Sequence, residues 1–178
     1  MDDLEKLKNL VLAPYILKAT ALIKIGRKVG GNQFRHSFST LGILLDYRYF
    51  HNSVLLKGSL LHDFLEDLED STIDEIRKID TDGPFVVDLI LEVTRKKSET
   101  KNHYLSNLLK YGTNSALILK CADRISNLTD LHLDTHTRHK ISDYLDQTEE
   151  FVIPMAEKVN RYMKIELSDL IKRRRSIL

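Results

Sequence analysis

Asn52-Ser53-Val54-Leu55-Leu56-Lys57-Gly58-Ser59-Leu60-Leu61-His62-Asp63-Phe64-Leu65-Glu66-Asp67 is the stretch on which the reading of this chain turns. Asn52 or Ser53 is a suitable N-cap, and Leu55, Leu56, Leu60 and Leu61 then recur with helical spacing. The apolar face runs straight into His62, Asp63, Glu66 and Asp67, so groups able to hold a divalent ion and activate water are carried on a buried helix. Neighbouring residues on a helix point about 100° apart, so His62 and Asp63 reach one ion only where a helix end or side faces a cavity. Glu66 and Asp67 lie one turn further along the same rows.

Working outward, the same period recurs along the chain. Leu4, Leu7, Leu10 and Val11 mark a first helix; Pro14 suits the first turn of a second, which carries Ile16, Leu17, Ala21, Leu22 and Ile25 and ends at Gly26, Gly30 and Gly31. A third helix is expected from about His36, with Leu41, Leu44 and Leu45. Ser71 with Asp74 resembles a capping box for a short helix through Ile73, Ile76 and Ile79, and Asp82-Gly83-Pro84 is a turn ahead of a helix from Phe85 to Val93. Further helices are expected over 99–110, 115–127 and 138–172, the last bent or broken near Pro154. No alternating strand pattern of useful length competes, and the expected class is all-α.

Composition limits what such helices can serve. The 178 residues suffice for one domain, or a domain with a tail, with a substantial core. With 42% hydrophobic and 30% charged residues the balance is that of a globular protein, and no apolar run approaches the roughly 20 residues needed to cross a bilayer. Residues 1–10 lack the features of a signal peptide, and the lone Cys121 cannot form an intramolecular disulfide, which agrees with a reducing cytoplasm. A net charge of +1 exerts no global pull on a nucleic-acid polymer, so attraction for an anionic substrate has to be local.

His36 upstream and Asp123 downstream give His62 and Asp63 company. Two imidazoles and two carboxylates form a nitrogen and oxygen donor set suited to Mn²⁺, Fe²⁺ or Zn²⁺, and the absence of thiolate argues against a structural zinc. A metal with open positions acidifies bound water and polarises a phosphoryl oxygen, with Glu66 and Asp67 placed to orient or deprotonate that water.

These residues resemble the HD superfamily of metal phosphohydrolases, and more closely the hydrolase domain of the RelA/SpoT family. Gly26-Arg27-Lys28 through His36 is similar to that family's Arg-Lys loop leading to its first metal histidine, and 60–67 to its HD-x-x-ED segment. Asp70-Ser71-Thr72, Val93-Thr94-Arg95 and KCADRISNL (120–128) continue the likeness, as does the helix around Ile153-Pro154-Met155-Ala156; coverage runs over about 16–159, within an HD-type helical bundle whose last helix reaches about 172. The resemblance implies a stand-alone (p)ppGpp 3′-pyrophosphohydrolase using Mn²⁺. It further implies His36, His62, Asp63 and Asp123 as ligands, Glu66 and Asp67 as the catalytic acidic pair, Asn127 as a nucleotide contact, and Arg27 and Lys28 as pocket lining. The alternative within the superfamily is a nucleotidase, a dNTP hydrolase or an NADPH phosphatase. Val29, and Asn32-Gln33 where Pro-Tyr is common, depart from the family pattern and bear on base contacts.

Other readings compete at several positions. Glu66 and Asp67 could continue a solvated acidic face through Glu69 and Asp70. Arg95-Lys96-Lys97 suits either a helix C-terminus or phosphate attraction. Lys120 and Arg124, flanking Asp123, either bind phosphate or pair with a carboxylate and hold the helix. Cys121 reads as a small core residue, His132, His136 and His139 as surface or packing residues, and the run from Lys172 to Arg175 as a solvated tail.

Overall fold

Helices α1 (Asp3–Lys8), α2 (Ala13–Ala19), α3 (Gln33–Asp46), α4 (Ser53–Leu61), α5 (Phe64–Asp67), α6 (Ile73–Arg77) and α7 (Gly83–Val93) are followed by α8 (Lys101–Tyr111), α9 (Asn114–Asp130), α10 (Arg138–Gln147), α11 (Ile153–Val159) and α12 (Arg161–Arg175). This is a computed structural model describing residues 3–68 and 73–178, with side chains from Glu5 onward, and among the described residues there is no strand. The expected capping role of Ser71, the stretch Asp70-Ser71-Thr72, Glu69 and the side chain of Leu4 lie outside the described residues. The helices gather into two compact units, Met1–Ile25 with Asn32–Thr94, and Gly26–Gly31 with Arg95–Leu178. No helix among the described residues is long and apolar enough to cross a membrane.

In the first unit α4 is the central element, packed against α2, α3 and α7. Asn52 caps it, its side chain accepting from the Leu55 amide at 3.0 Å, and Leu55, Leu56, Leu60 and Leu61 are fully buried. Gly58 permits the close approach of α7: a Cβ there would stand 2.8 Å from a Leu89 methyl. The second helix buries Tyr15, Ala19 and, through the following 3₁₀ turn Thr20–Lys24, Leu22. Leu17 is instead 74% exposed, because the register that puts Pro14 in the first turn turns Tyr15 inward and Leu17 outward.

Lys57 is the buried charge of this unit. Its Nζ donates to Asp80 and to Asp82, each at 2.7 Å, while Tyr15 donates to Asp80 and Ser53 to Asp82, also at 2.7 Å. One ion cluster thereby ties α2 and α4 to the turn that starts α7. Burial pulls the Lys57 ammonium down, but the two carboxylates outweigh it and raise its pKa; Asp80 and Asp82 are held below the usual carboxylate range by Lys57 and their hydroxyl donors, against the opposing cost of burial.

The second unit is organised around α9, capped by Thr113 and packed against α8, α11 and α12. Its inner face presents Leu117, Cys121, Ala122, Ile125 and Leu128, all buried, and burial pushes the Cys121 thiol up to about 12. The long pattern expected over 138–172 is three helices. A π-helical turn at Thr148–Val152 leads into Pro154 in the first turn of α11, where its missing N–H breaks no helical bond. The full break falls at Asn160, extended at φ −159°, whose side chain accepts from the amides of Tyr162 and Met163 and so starts α12. The basic run at the end of α12 is not simply solvated. Arg174 donates to the carbonyls of Leu128 at 2.7 Å and Thr129 at 2.5 Å, closing the C-terminal end of α9, and Arg175 bonds Asp146 and Glu149.

Because the folded-state pKa values of Asp80 and Asp82 lie below the unfolded value of roughly 4, their contribution is complete above that value and is lost as pH falls through the lowered ones. Lys57→Met is expected to cost about 2 kcal/mol at pH 7, less than for a fully buried pair because both carboxylates retain some solvent, and to flatten the acid limb of stability. Urea titrations from pH 3 to 7 check this; equal acid sensitivity in both proteins would contradict it.

Candidate metal centre and anion-binding residues

His62 and Asp63 sit at a break. Helix α4 ends at Leu61, and the chain turns before α5 begins at Phe64, so the HDFLED run is not one continuous helix. Helix α3 starts at Gln33, a turn earlier than the expected start at His36, because Asn32 is its cap, accepting from the Arg35 amide at 2.9 Å. His36 therefore lies in the second turn, 1% exposed, facing His62, which is 4% exposed.

Three donor atoms of the first unit converge. His36 Nε2 and His62 Nε2 are 3.3 Å apart, and Asp63 Oδ2 is 3.6 Å from the first and 3.3 Å from the second. A cation about 2.1 Å from each donor separates neighbouring donors by roughly 3.0–3.4 Å, so the spacing fits a first-row divalent ion. His62 Nδ1 lies 2.7 Å from the Ser59 carbonyl, which can only accept, so Nδ1 carries the hydrogen and the neutral ring offers Nε2 as its lone pair. The donor chemistry and the spacing both fit a metal.

Beside this trio, Asp67 receives a hydrogen bond on Oδ2 from Gln33 Nε2 at 2.9 Å. Burial pushes the Asp67 carboxyl up, as do the charges of Asp63 and Glu66, while Gln33 and His62 pull against them. A carboxylate with a raised proton affinity is the type of group that takes a proton from water. The side chain of Glu66, on the same short helix, is exposed.

In the second unit Asp123 is engaged on both oxygens. Lys120 Nζ donates to Oδ2 at 2.9 Å and Asn127 Nδ2 to Oδ1 at 2.6 Å, and Arg27 in turn donates to Asn127 Oδ1 at 2.6 Å. Arg27 comes from the loop 26–31, which turns through Gly30 and Gly31 at φ 89° and 70°, backbone conformations that L side chains rarely adopt. The Lys28 carbonyl of that loop accepts from Thr135 at 3.4 Å. Burial pulls the Lys120 ammonium down, but Asp123 reverses the balance and holds it above its ordinary value.

Of the two readings of Arg124, binding phosphate as a substrate residue or holding the helix, its packing matches the second. It is 1% exposed, donates to Tyr144 O at 3.2 Å and Thr148 Oγ1 at 2.7 Å, and stacks 3.9 Å from the Tyr144 ring centre. It fastens α9 to α10 and the π turn. Adjacent positions on a helix face different ways, and Asp123 and Arg124 divide accordingly. Lys101 joins this group without any signal in the sequence. It lies 4.5 Å from the same Tyr144 ring with its residue still solvent-exposed, and loss of water around the ammonium, together with the cations Arg124 and Lys120, lowers its pKa. Only the folded chain brings these cations together, so no local motif marks it.

The three histidines 132, 136 and 139 do not converge. His136 pairs with Asp134 at 2.6 Å and His139 with Asp143 at 3.5 Å, and the described residues form no metal-ligating group there.

Comparison with known proteins adds to this geometry. No family model matches the chain. It is 30% identical over 127 residues to the guanosine-3′,5′-bis(diphosphate) 3′-pyrophosphohydrolase MESH1 of Drosophila melanogaster, covering 67% of this chain and 68% of that protein. It is 25% identical to a probable guanosine-3′,5′-bis(diphosphate) 3′-pyrophosphohydrolase of Mycoplasma pneumoniae, where the match takes in 95% of this chain but only 25% of the longer protein. The solved structure of a metazoan ortholog of SpoT, described as hydrolysing ppGpp, superposes with a TM-score of 0.80 at 23% identity, over 92% of this chain and 94% of that one. The fold is thus the all-helical HD fold of that structure, and by its likeness to the Drosophila protein the chain belongs to the guanosine-3′,5′-bis(diphosphate) 3′-pyrophosphohydrolase family.

Proposed function

We propose that this protein is a metal-dependent hydrolase that removes pyrophosphate from the 3′ position of (p)ppGpp, with water supplying the oxygen and GDP or GTP as the other product. The observation that carries the reading is the convergence of His36, His62 and Asp63 within 3.6 Å, with an acidic pair one helical turn on. The relatives named for this activity, and the HD fold, support the same reaction.

In this reading His36, His62 and Asp63, together with Asp123, hold one divalent ion, Mn²⁺ in preference to Fe²⁺ or Zn²⁺. Such an ion polarises a phosphoryl oxygen and acidifies water. Asp67 accepts the proton of the attacking water, and Glu66 orients it. Asn127 and Arg27, already bonded to one another, contact the sugar and phosphates, and Lys28 lines the pocket. Lys120 and Lys101 supply positive potential for the leaving pyrophosphate; an anion relieves the repulsion among Lys101, Lys120, Arg124 and Arg95. Arg124 is assigned to the framework. A small nucleotide substrate and a single buried thiol suit the cytoplasm.

Incubation of the purified protein with Mn²⁺ and ppGpp, alongside pGpp, GMP, dGTP and NADPH, is expected to give GDP and pyrophosphate from ppGpp. Phosphate release from another nucleotide with ppGpp untouched would overturn the substrate while leaving the metal centre. Asp63→Ala is expected to lose both metal and turnover, whereas Glu66→Gln retains metal and slows turnover by about 10²-fold. Equal metal loss in both variants, measured by elemental analysis, would contradict the assigned roles.

A further inference from the structure

Gln33 opens α3, one turn before His36, at a position where the chain departs from its family's pattern, and its two amide atoms have unequal surroundings. The Asp67 carboxylate can only accept at this contact, so the amide nitrogen has to point toward it, and the 2.9 Å bond fixes which atom is which. The amide oxygen, Oε1, then points away. It is buried and has no hydrogen-bond donor among the described residues. An orphaned buried acceptor carries a desolvation cost that is removed when a donor arrives.

From this we propose that Gln33 has two parts in the reaction. Its Nε2 holds the Asp67 carboxylate in a single orientation toward the attacking water, and its Oε1 accepts a hydrogen bond from an N–H or O–H group of the bound nucleotide. The first part is positioning, since Gln33 acts through Asp67; the second is recognition of a donor on the base or sugar. Gln33 thus connects substrate occupancy to the orientation of the proton acceptor: a donor on Oε1 polarises the amide and strengthens its N–H bond to Asp67. The inference rests on the phosphohydrolase reading above and assigns this chain a specificity residue within it.

The two parts separate in a mutant cycle. Gln33→Met keeps the side-chain length and removes both donor and acceptor; it is expected to lower kcat about 10-fold and raise KM about 5-fold while leaving Mn²⁺ affinity within about 2-fold. Gln33→Glu retains an acceptor oxygen but loses the donor, and is expected to lower kcat with KM changed less than in Gln33→Met. In an Asp67→Asn background, Gln33→Met is expected to change kcat by less than about 2-fold, because its catalytic effect passes through the missing carboxylate. An unchanged kcat in Gln33→Met, or the same fractional loss with and without the Asp67 carboxylate, would overturn the positioning part; an unchanged KM in Gln33→Met would overturn the recognition part. Should Gln33→Met melt well below the wild type, Gln33→Asn, which keeps both polar atoms but shortens their reach, is read in the same cycle. Absence of wild-type turnover on ppGpp would count against the substrate reading alone, and the cycle is then run on whichever nucleotide of the panel the protein hydrolyses.

Discussion

Two imidazole nitrogens 3.3 Å apart inside a helical core set the terms for everything around them. Such a pair is stable only if each ring is held in one orientation and one tautomer, and the first unit is built to do so. Ser59, one turn back on α4, takes the Nδ1 hydrogen of His62, and His62 and Asp63 form the turn that follows α4, both in right-handed helical conformations. On a continuous helix those two side chains would diverge by about 100°. At the end of α4 the His62 ring and the Asp63 carboxylate nonetheless come within 3.3 Å of one another, and the buried leucines of α4 together with the Lys57 cluster anchor that turn.

That arrangement accounts for what could be read from the sequence and what could not. Helical period, the N-cap at Asn52 and the position of Pro14 are local signals, and they locate most of the helices before 130 to within about a turn. Burial register is not local. Leu17 is as apolar as Leu22, but Pro14 sets the helix phase and Tyr15 takes the inward place, its hydroxyl satisfied by Asp80 sixty-five positions on. The helix break at Asn160 is ambiguous in sequence for a similar reason: asparagine is a poor helix interior residue but a good cap, whereas Pro154, the stronger local signal, is tolerated in a first helical turn.

For the site, the donor types and their order are carried locally by the sequence, whereas the contacts of the basic residues depend on packing. Arg124 and Lys120 flank Asp123 equally in sequence. On the helix they part, Lys120 toward the carboxylate and Arg124 into the core against Tyr144 and Thr148, where a guanidinium can stack and donate at once. Asn32 and Gln33 look like losses when set beside a Pro-Tyr pattern, yet Asn32 caps the helix that carries His36 and Gln33 reaches Asp67.

The carboxylates of the two units also differ in how they are supplied with donors. Asp123 accepts a hydrogen bond on each oxygen, from Lys120 and Asn127, and Arg27 steadies Asn127 in turn, so its orientation is fixed by charge and by a relay reaching the glycine loop. Asp67 has one amide donor, is pushed toward protonation by burial and by its acidic neighbours, and so differs in kind from Asp123. A carboxylate with strong cationic support is suited to holding a cation without gaining a proton, and one with weak neutral support is suited to exchanging a proton with water. Lys120 and Asn127 on the one hand and Gln33 on the other thus give the two acids environments of opposite character, one charged and doubly bonded, the other neutral and singly bonded.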